Sequence, residues 1–226
     1  MSLTSPLVDQ TAPAKQFRRS IIENQPTVFT DIFRDEANIV IWQRELTKEL
    51  VRAADHVLKE KPTLQASFTV APQNALSVIN DALGATQITT ALSEDITQLV
   101  DMFCCLFDLK RVGLRLTALD RAMCPRFHVD RIPCRLVTTY LGEATQWLPH
   151  HLVDRSKLGA GNQGKPDEQS GLFATPNDIQ DLSQGDVALL KGELWKENEH
   201  AGLVHRSPQL ATDTRRLLVT IDFSYD

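Results

Sequence analysis

Aromatic residues make up only 6% of the 226-residue chain, so aliphatic side chains must supply most of any core. Long apolar runs are missing. None approaches the roughly 18 residues that a membrane helix needs, and no membrane partner is expected. The N-terminus, MSLTSPLVDQTAPAKQ, lacks the charged start and apolar stretch of a signal peptide, which points to a cytoplasmic location. Cys104, Cys105, Cys124 and Cys134 form no CxxC pair, so zinc-knuckle and thioredoxin signals are absent, and reduced thiols are expected in that compartment. A basic block is missing too. The net charge is −5, and nucleic-acid binding, which needs clustered cations, is not expected. There is no Ser-His-Asp order, GxSxG elbow or Walker loop. Gly159-Ala160-Gly161 sits in a polar stretch without the strand-to-helix setting of a phosphate loop.

What is present suits one domain with an annex: 42% of residues are hydrophobic, enough for a core. Residues 1–16, polar and proline-containing, read as a flexible tail. Residues 17–110 read as mainly helical. Ile39, Trp42, Leu46, Leu50, Ala53 and Val57 recur at steps of three and four, the period of one helix face, although Ile39–Trp42 also suits a short strand. Ile96, Leu99, Val100, Phe103, Leu106 and Phe107 form a second stripe, with Ser93 as its expected N-cap and Cys104 and Cys105 inside it. After Lys110 the period changes. The runs RVGLRLTAL, PRFHVD, CRLVTTYLG, GDVALLKG, GLVHRS and RRLLVTIDFSY are short, β-prone and bounded by turn residues. Many strands without intervening helices predict an α+β fold, in which N-terminal helices pack on a jelly-roll or cupin-like barrel over 111–226. A polar insertion at 155–171 interrupts that barrel and is a candidate lid.

The sharpest chemical feature is Phe127-His128-Val129-Asp130. In a strand, alternate side chains share a face, so His128 and Asp130 can chelate one divalent ion while Phe127 and Val129 pack behind. His205, in the β-prone run Gly202-Leu203-Val204-His205, is the best third ligand. Two histidines and a carboxylate form a facial triad with open positions, the usual site of non-haem iron(II) oxygenases. His56, His150, His151 and His200 read as surface or loop residues.

The order of these residues resembles the iron(II)/2-oxoglutarate-dependent dioxygenase superfamily over roughly residues 112–226. In that superfamily an HxD…H triad is carried on a double-stranded β-helix, and a basic residue about ten positions after the distal His pairs with the far carboxylate of 2-oxoglutarate. The resemblance implies iron(II) and 2-oxoglutarate as cofactor and cosubstrate. It also implies that Arg216 or Arg215 is the anchor, and RLLVTIDF, similar to the closing strand, favours Arg216. Tyr140, on the strand after HxD, is a further candidate for hydrogen bonding to the cosubstrate. The whole chain, notably CPRFHVDRIPCRLVTTYLG and GLVHRSP, is also similar to an uncharacterised bacterial domain-of-unknown-function family often encoded beside zinc-homeostasis GTPases. That resemblance raises the alternative of a non-catalytic zinc(II)-binding protein linked to such a GTPase. Cys124 and Cys134, which bracket the HxD, are its candidate extra metal or redox residues, since a nearby thiolate favours zinc over iron.

Overall fold

The structure, a computed structural model, describes residues 17–224; the expected tail at 1–16 lies outside the described residues. Its centre is a seven-stranded sheet in the order β1-β2-β8-β5-β10-β4-β3. These strands are β1 (Arg19–Glu23), β2 (Ala37–Trp42), β3 (Gln65–Val70), β4 (Val112–Leu119), β5 (Cys134–Leu141), β8 (Val187–Lys191) and β10 (Arg216–Phe223). A smaller sheet faces it, in the order β7-β6-β9: β6 is Gln146–Leu148, β7 is Gln180–Asp181 and β9 is Val204–Arg206. Helices α1 (Lys48–Glu60), α2 (Pro72–Leu83) and α3 (Thr90–Phe107) pack on the outer face of the large sheet, and a one-turn helix α4 (Asp167–Ser170) lies in the polar insertion.

The alternation of side chains along the strands divides the interior in two. On β10, Leu217, Val219 and Ile221 point to the helices, where they meet Ile96, Leu99, Val100 and Phe103 of α3. Arg216, Leu218 and Thr220 take the opposite face, towards the small sheet. The same parity on β5 sends Cys134, Leu136 and Tyr140 to the helix side, and Arg135 and Val137 to the side between the sheets. A second core, built from Ile39, Ile41, Val137, Trp147, Leu190, Leu203 and Leu218, closes the space between the sheets.

The first half of the chain is more than a helical layer, for β1, β2 and β3 join the large sheet. Ile39 and Trp42 belong to strand β2, not to the first helix. Ile39 lies opposite Leu190, and α1 begins only at Lys48, where the Thr47 hydroxyl accepts from the Leu50 amide at 3.3 Å. The misleading stripe arises because β2 is buried on both faces and so shows no polar alternation. Ser93 is not an N-cap either. The helix starts at Thr90, and Ser93 is buried in its second turn. No helix among the described residues is long and apolar enough to cross a membrane.

A partly buried charged knot ties the helical layer to the sheet. Arg44 donates two hydrogen bonds to Asp95 of α3, at 2.7 and 2.9 Å, and its Nε donates to the Gly185 carbonyl. The Tyr140 hydroxyl donates to the same carboxylate. Removing that carboxylate leaves the partly buried Arg44 without a counter-charge, so Asp95→Ala is expected to cost about 2–3 kcal/mol in urea unfolding, below the full cost of breaking a buried pair. A cost within experimental error of zero would mean that the knot holds nothing.

Candidate metal centre

The chain leaves β4, crosses to the small sheet and there pairs one residue, His128, with His205 of β9. Each backbone amide donates to the other's carbonyl at 3.0 Å. Directly opposed residues in an antiparallel pair project their side chains from one face. The two imidazoles therefore lie side by side, with ring centroids 4.6 Å apart. Asp130, two residues on, reaches the same place: its Oδ1 lies 3.7 Å from Nε2 of His128 and its Oδ2 3.5 Å from Nε2 of His205. One donor atom from each of the three residues lies within 4.8 Å of the others, so together they could hold a metal ion. Oxygen and nitrogen ligands sit about 2.0–2.2 Å from such an ion, which puts neighbouring donors roughly 3–4 Å apart.

The protonation states suit this task. Nδ1 of His128 lies 2.9 Å from the Arg126 carbonyl, and Nδ1 of His205 lies 3.2 Å from the Leu203 carbonyl. A carbonyl only accepts, so each Nδ1 carries the hydrogen and each Nε2 keeps its lone pair for the site. Burial, with the His128 ring and the Arg135 guanidinium nearby, pushes the His205 imidazole down to about 4 despite the attraction of Asp130. It is therefore neutral near pH 7, the form that binds metals. Asp130 is held from behind by Arg135, whose Nη1 donates to Oδ2 at 2.7 Å. Arg135 in turn donates to both oxygens of Asp222 on β10, at 2.7 and 2.9 Å.

Two further contacts fix the segments that carry the histidines. Asp167 of α4, buried, accepts from Nε of Arg126 and from the Phe127 amide, both at 2.8 Å. It also lies 3.5 Å from Arg206, the residue after His205. One carboxylate thus spans the neighbours of both imidazoles, and the insertion at 155–171 is anchored to the site through it. Glycines allow the second contact. A Cβ on Gly192 would fall 2.0 Å from the Ile132 carbonyl oxygen, and one on Gly202 would fall 2.5 Å from Val129. Only bare backbone fits there, and the Glu193 amide can donate to the Asp130 carbonyl at 3.0 Å.

Beside the three donors is a cavity of about 210 Å³, lined by His128, His205, Arg135, Thr145, Ser207 and Arg216 among others. Arg216 is 1% exposed and has no carboxylate partner among its described hydrogen bonds. Its guanidinium donates only to hydroxyls: Thr139 at 2.9 and 3.1 Å, Thr145 at 2.8 Å and Ser207 at 3.2 Å. Burial lowers it to about 10 against the pull of Glu143, which leaves it charged at neutral pH. A buried cation without an anion is costly, and a cavity beside it is a place for one.

The other expected residues lie elsewhere. Arg215 points outward, with Nη1 donating to the Pro62 carbonyl at 2.8 Å. Tyr140 cannot reach a cosubstrate. It faces the helix side of β5, fully buried against Asp95, and it is Thr139, of opposite parity, that touches Arg216. Cys134 has the same parity as Tyr140 and is also buried on the helix side, so it cannot be an extra ligand. Burial raises its thiol far above the ordinary range. Cys124 lines the cavity but is not among the three groups whose donors converge. Thr139, Thr145, Ser207 and Asp167 escape sequence reasoning because hydroxyls and lone acids carry no spacing signal.

A family model described as "Protein of unknown function (DUF1826)" matches residues 23–222. No curated protein matches the sequence. Among solved structures, the chain is similar to a dioxygenase for auxin oxidation from rice, with 13% identity and a TM-score of 0.50, covering 91% of this chain and 82% of the other. It is similar to the same extent to dioxygenase for auxin oxidation 1 from Arabidopsis thaliana, determined as a complex with 2-oxoglutarate, with 10% identity, a TM-score of 0.50 and 93% of each chain covered. At such identity the likeness is one of fold.

Two outcomes follow from the geometry. Asp167→Asn, which weakens charge-assisted bonds to Arg126 and Phe127, should lose about 1.5–3 kcal/mol and lower affinity for divalent metal; unchanged metal affinity would show that Asp167 does not position the histidines. The pH dependence has a defined sign. Between about pH 6.5 and 4 the unfolded His205 takes a proton that the folded one refuses, so metal-free protein loses stability as pH falls through that window and no further below it. His205→Gln should flatten the curve there, and a curve parallel to wild type would contradict the assignment.

Proposed function

The chain belongs to the DUF1826 family and shares a fold with dioxygenases, and from that footing we propose that it is an iron(II)- and 2-oxoglutarate-dependent oxygenase. The single observation that carries this reading is the shared cavity: His128 and His205, whose donors converge with that of Asp130, line one side, and a buried arginine hydrogen-bonded only to hydroxyls lines another. His128, Asp130 and His205 would hold the metal, and two imidazoles with one carboxylate suit iron(II) while leaving open positions. When bound, iron supplies the oxidative decarboxylation of 2-oxoglutarate by dioxygen, giving succinate and carbon dioxide as a second substrate gains a hydroxyl.

The protein's own part is to bind and orient. Arg216 offers a planar fork to the far carboxylate of the cosubstrate, with Thr145 and Ser207 as hydroxyl neighbours. A divalent cation and Arg216 would stand against Asp130 and the cosubstrate dianion, while Asp222 pairs with both Arg135 and Arg115 behind them. The Arg135 contact holds the Asp130 carboxylate at a fixed angle, and the cores on either side keep bulk water from the back of the cavity.

A second reading keeps the same ligands for zinc, without oxygenase activity and with a link to a zinc-homeostasis GTPase. Cys124, which lines the cavity, is the observation in its favour. Elemental analysis of protein purified without added metal separates the two.

The test of the main reading is anaerobic titration of 2-oxoglutarate into iron(II)-loaded protein. A weak visible charge-transfer band is expected, and oxygen should then convert 2-oxoglutarate to succinate. Arg216→Ala should lose about 2–5 kcal/mol of 2-oxoglutarate binding while keeping its metal. A zinc-filled protein with no band and no turnover, or a variant that binds 2-oxoglutarate normally, would overturn the assignment.

A further inference from the structure

At about 210 Å³ the cavity beside the metal donors is small, since pockets for drug-sized ligands run about 300–1,000 Å³. It suits a five-carbon diacid and leaves little space for a second molecule. A larger hollow, about 530 Å³, opens next to it and shares Arg115, Thr117 and Met123 with it as a common wall. The rest of this hollow is mixed: Gln65, Ser67, Asp120 and Arg121 alternate around it with Ala66, Ala118, Leu119 and Ala122. Arg121 and Asp120 are both exposed and cancel in charge, so the hollow has no strong preference for an ion.

One side of the hollow is β3, an outermost strand of the large sheet. β3 pairs only with β4, from Gln65 opposite Thr117 to Val70 opposite Val112. The Ala118 amide donates to the Leu64 carbonyl at 2.8 Å, which sets the phase of the ladder. Leu64, Ala66, Phe68 and Val70 exchange bonds with β4, and alternation turns the N–H and C=O groups of Gln65, Ser67 and Thr69 outward. Among the described residues, none pairs with them. The side chains of these three residues are exposed on the same sheet face as Arg115 and Thr117.

Exposed edges are usually blunted by proline, charge or a bulge. The opposite edge follows that rule, for β1 carries a bulge at Arg19/Ser20 and an Arg19–Glu36 ion pair. β3, QASFTV, has no proline, no charged residue and an unbroken register. An open edge of this kind offers main-chain hydrogen bonds to an extended chain, with alternate side chains directed to one face.

We propose that the hollow binds a polypeptide as an added strand on β3, one side chain of which passes Thr117 and Arg115 to reach the metal cavity. The delivery of that side chain rests on the oxygenase reading; the strand addition does not.

The probe is a set of fluorescein-labelled nonapeptide pools, each with one residue fixed at the centre, measured by anisotropy on the whole protein without metal or 2-oxoglutarate. Saturable binding by at least one pool is expected. A peptide from that pool should slow deuterium exchange at Gln65, Ser67 and Thr69. N-methylating alternate amides of the peptide should weaken binding at least tenfold in one register and leave it nearly unchanged in the other, because only alternate amides face β3. Ser67→Pro removes an outward donor without touching the β4 ladder, and should abolish peptide binding while sparing metal binding. If that variant does not fold, the N-methylated peptides decide the matter on the wild-type protein. No binding by any pool, equal binding in both registers, or protection confined to another surface overturns the proposal. None of these readouts needs turnover, so a failed oxygenase assay leaves them standing, and their failure leaves the metal and 2-oxoglutarate tests untouched.

Discussion

The structure depends on one backbone exchange, the mutual hydrogen bonds between His128 and His205. Without it the two imidazoles belong to segments that have no reason to meet. With it their rings are neighbours, and the two-residue period of an extended chain brings Asp130 to the same point. Every other contact at the site serves that arrangement. Asp167 spans Arg126, Phe127 and Arg206, and bare backbone at Gly192 and Gly202 lets the chain after β8 lie against Val129 and Ile132. The Nδ1 bonds to carbonyls fix which nitrogen faces inward.

The large sheet separates two kinds of chemistry by parity alone. Successive residues on β5 have opposite fates: Thr139 supports the cavity arginine, and Tyr140 closes a charged knot with Asp95 and Arg44 under the helices. On β10, Arg216 and Leu218 face the site, and Leu217 and Val219 fill the apolar core. A one-residue slip of either strand would exchange these roles, so the unbroken register of β10 against β4 is a condition for the cavity to exist.

Much of this was legible in the sequence, for physical reasons. That His128, Asp130 and His205 meet is readable because alternate residues of an extended chain share a face, whereas the preference for Arg216 over Arg215 came only from the likeness of the run that follows to a closing strand. The helix stripe over Ile96–Phe103 is readable because one face is buried and the other is wet. Where both faces are buried the period vanishes, and β2 was drawn into a helix pattern by chance spacing. Tyr140 and Cys134 were misplaced because the sequence does not reveal which side of a doubly covered strand faces a site. Asp167 was invisible because its partners come from two distant segments, and β3 because a strand of mixed small residues gives weak alternation.

The central claim is that three side chains hold one cation and a buried arginine faces the anion beside it. Anomalous diffraction from a crystal grown with manganese(II), a redox-stable stand-in for iron(II), and 2-oxoglutarate tests it most directly. The account predicts one strong peak about 2.0–2.2 Å from both Nε2 atoms and the Asp130 carboxylate, with the far carboxylate of the diacid against Arg216. A peak elsewhere, or a diacid that leaves Arg216 bonded only to hydroxyls, would contradict it.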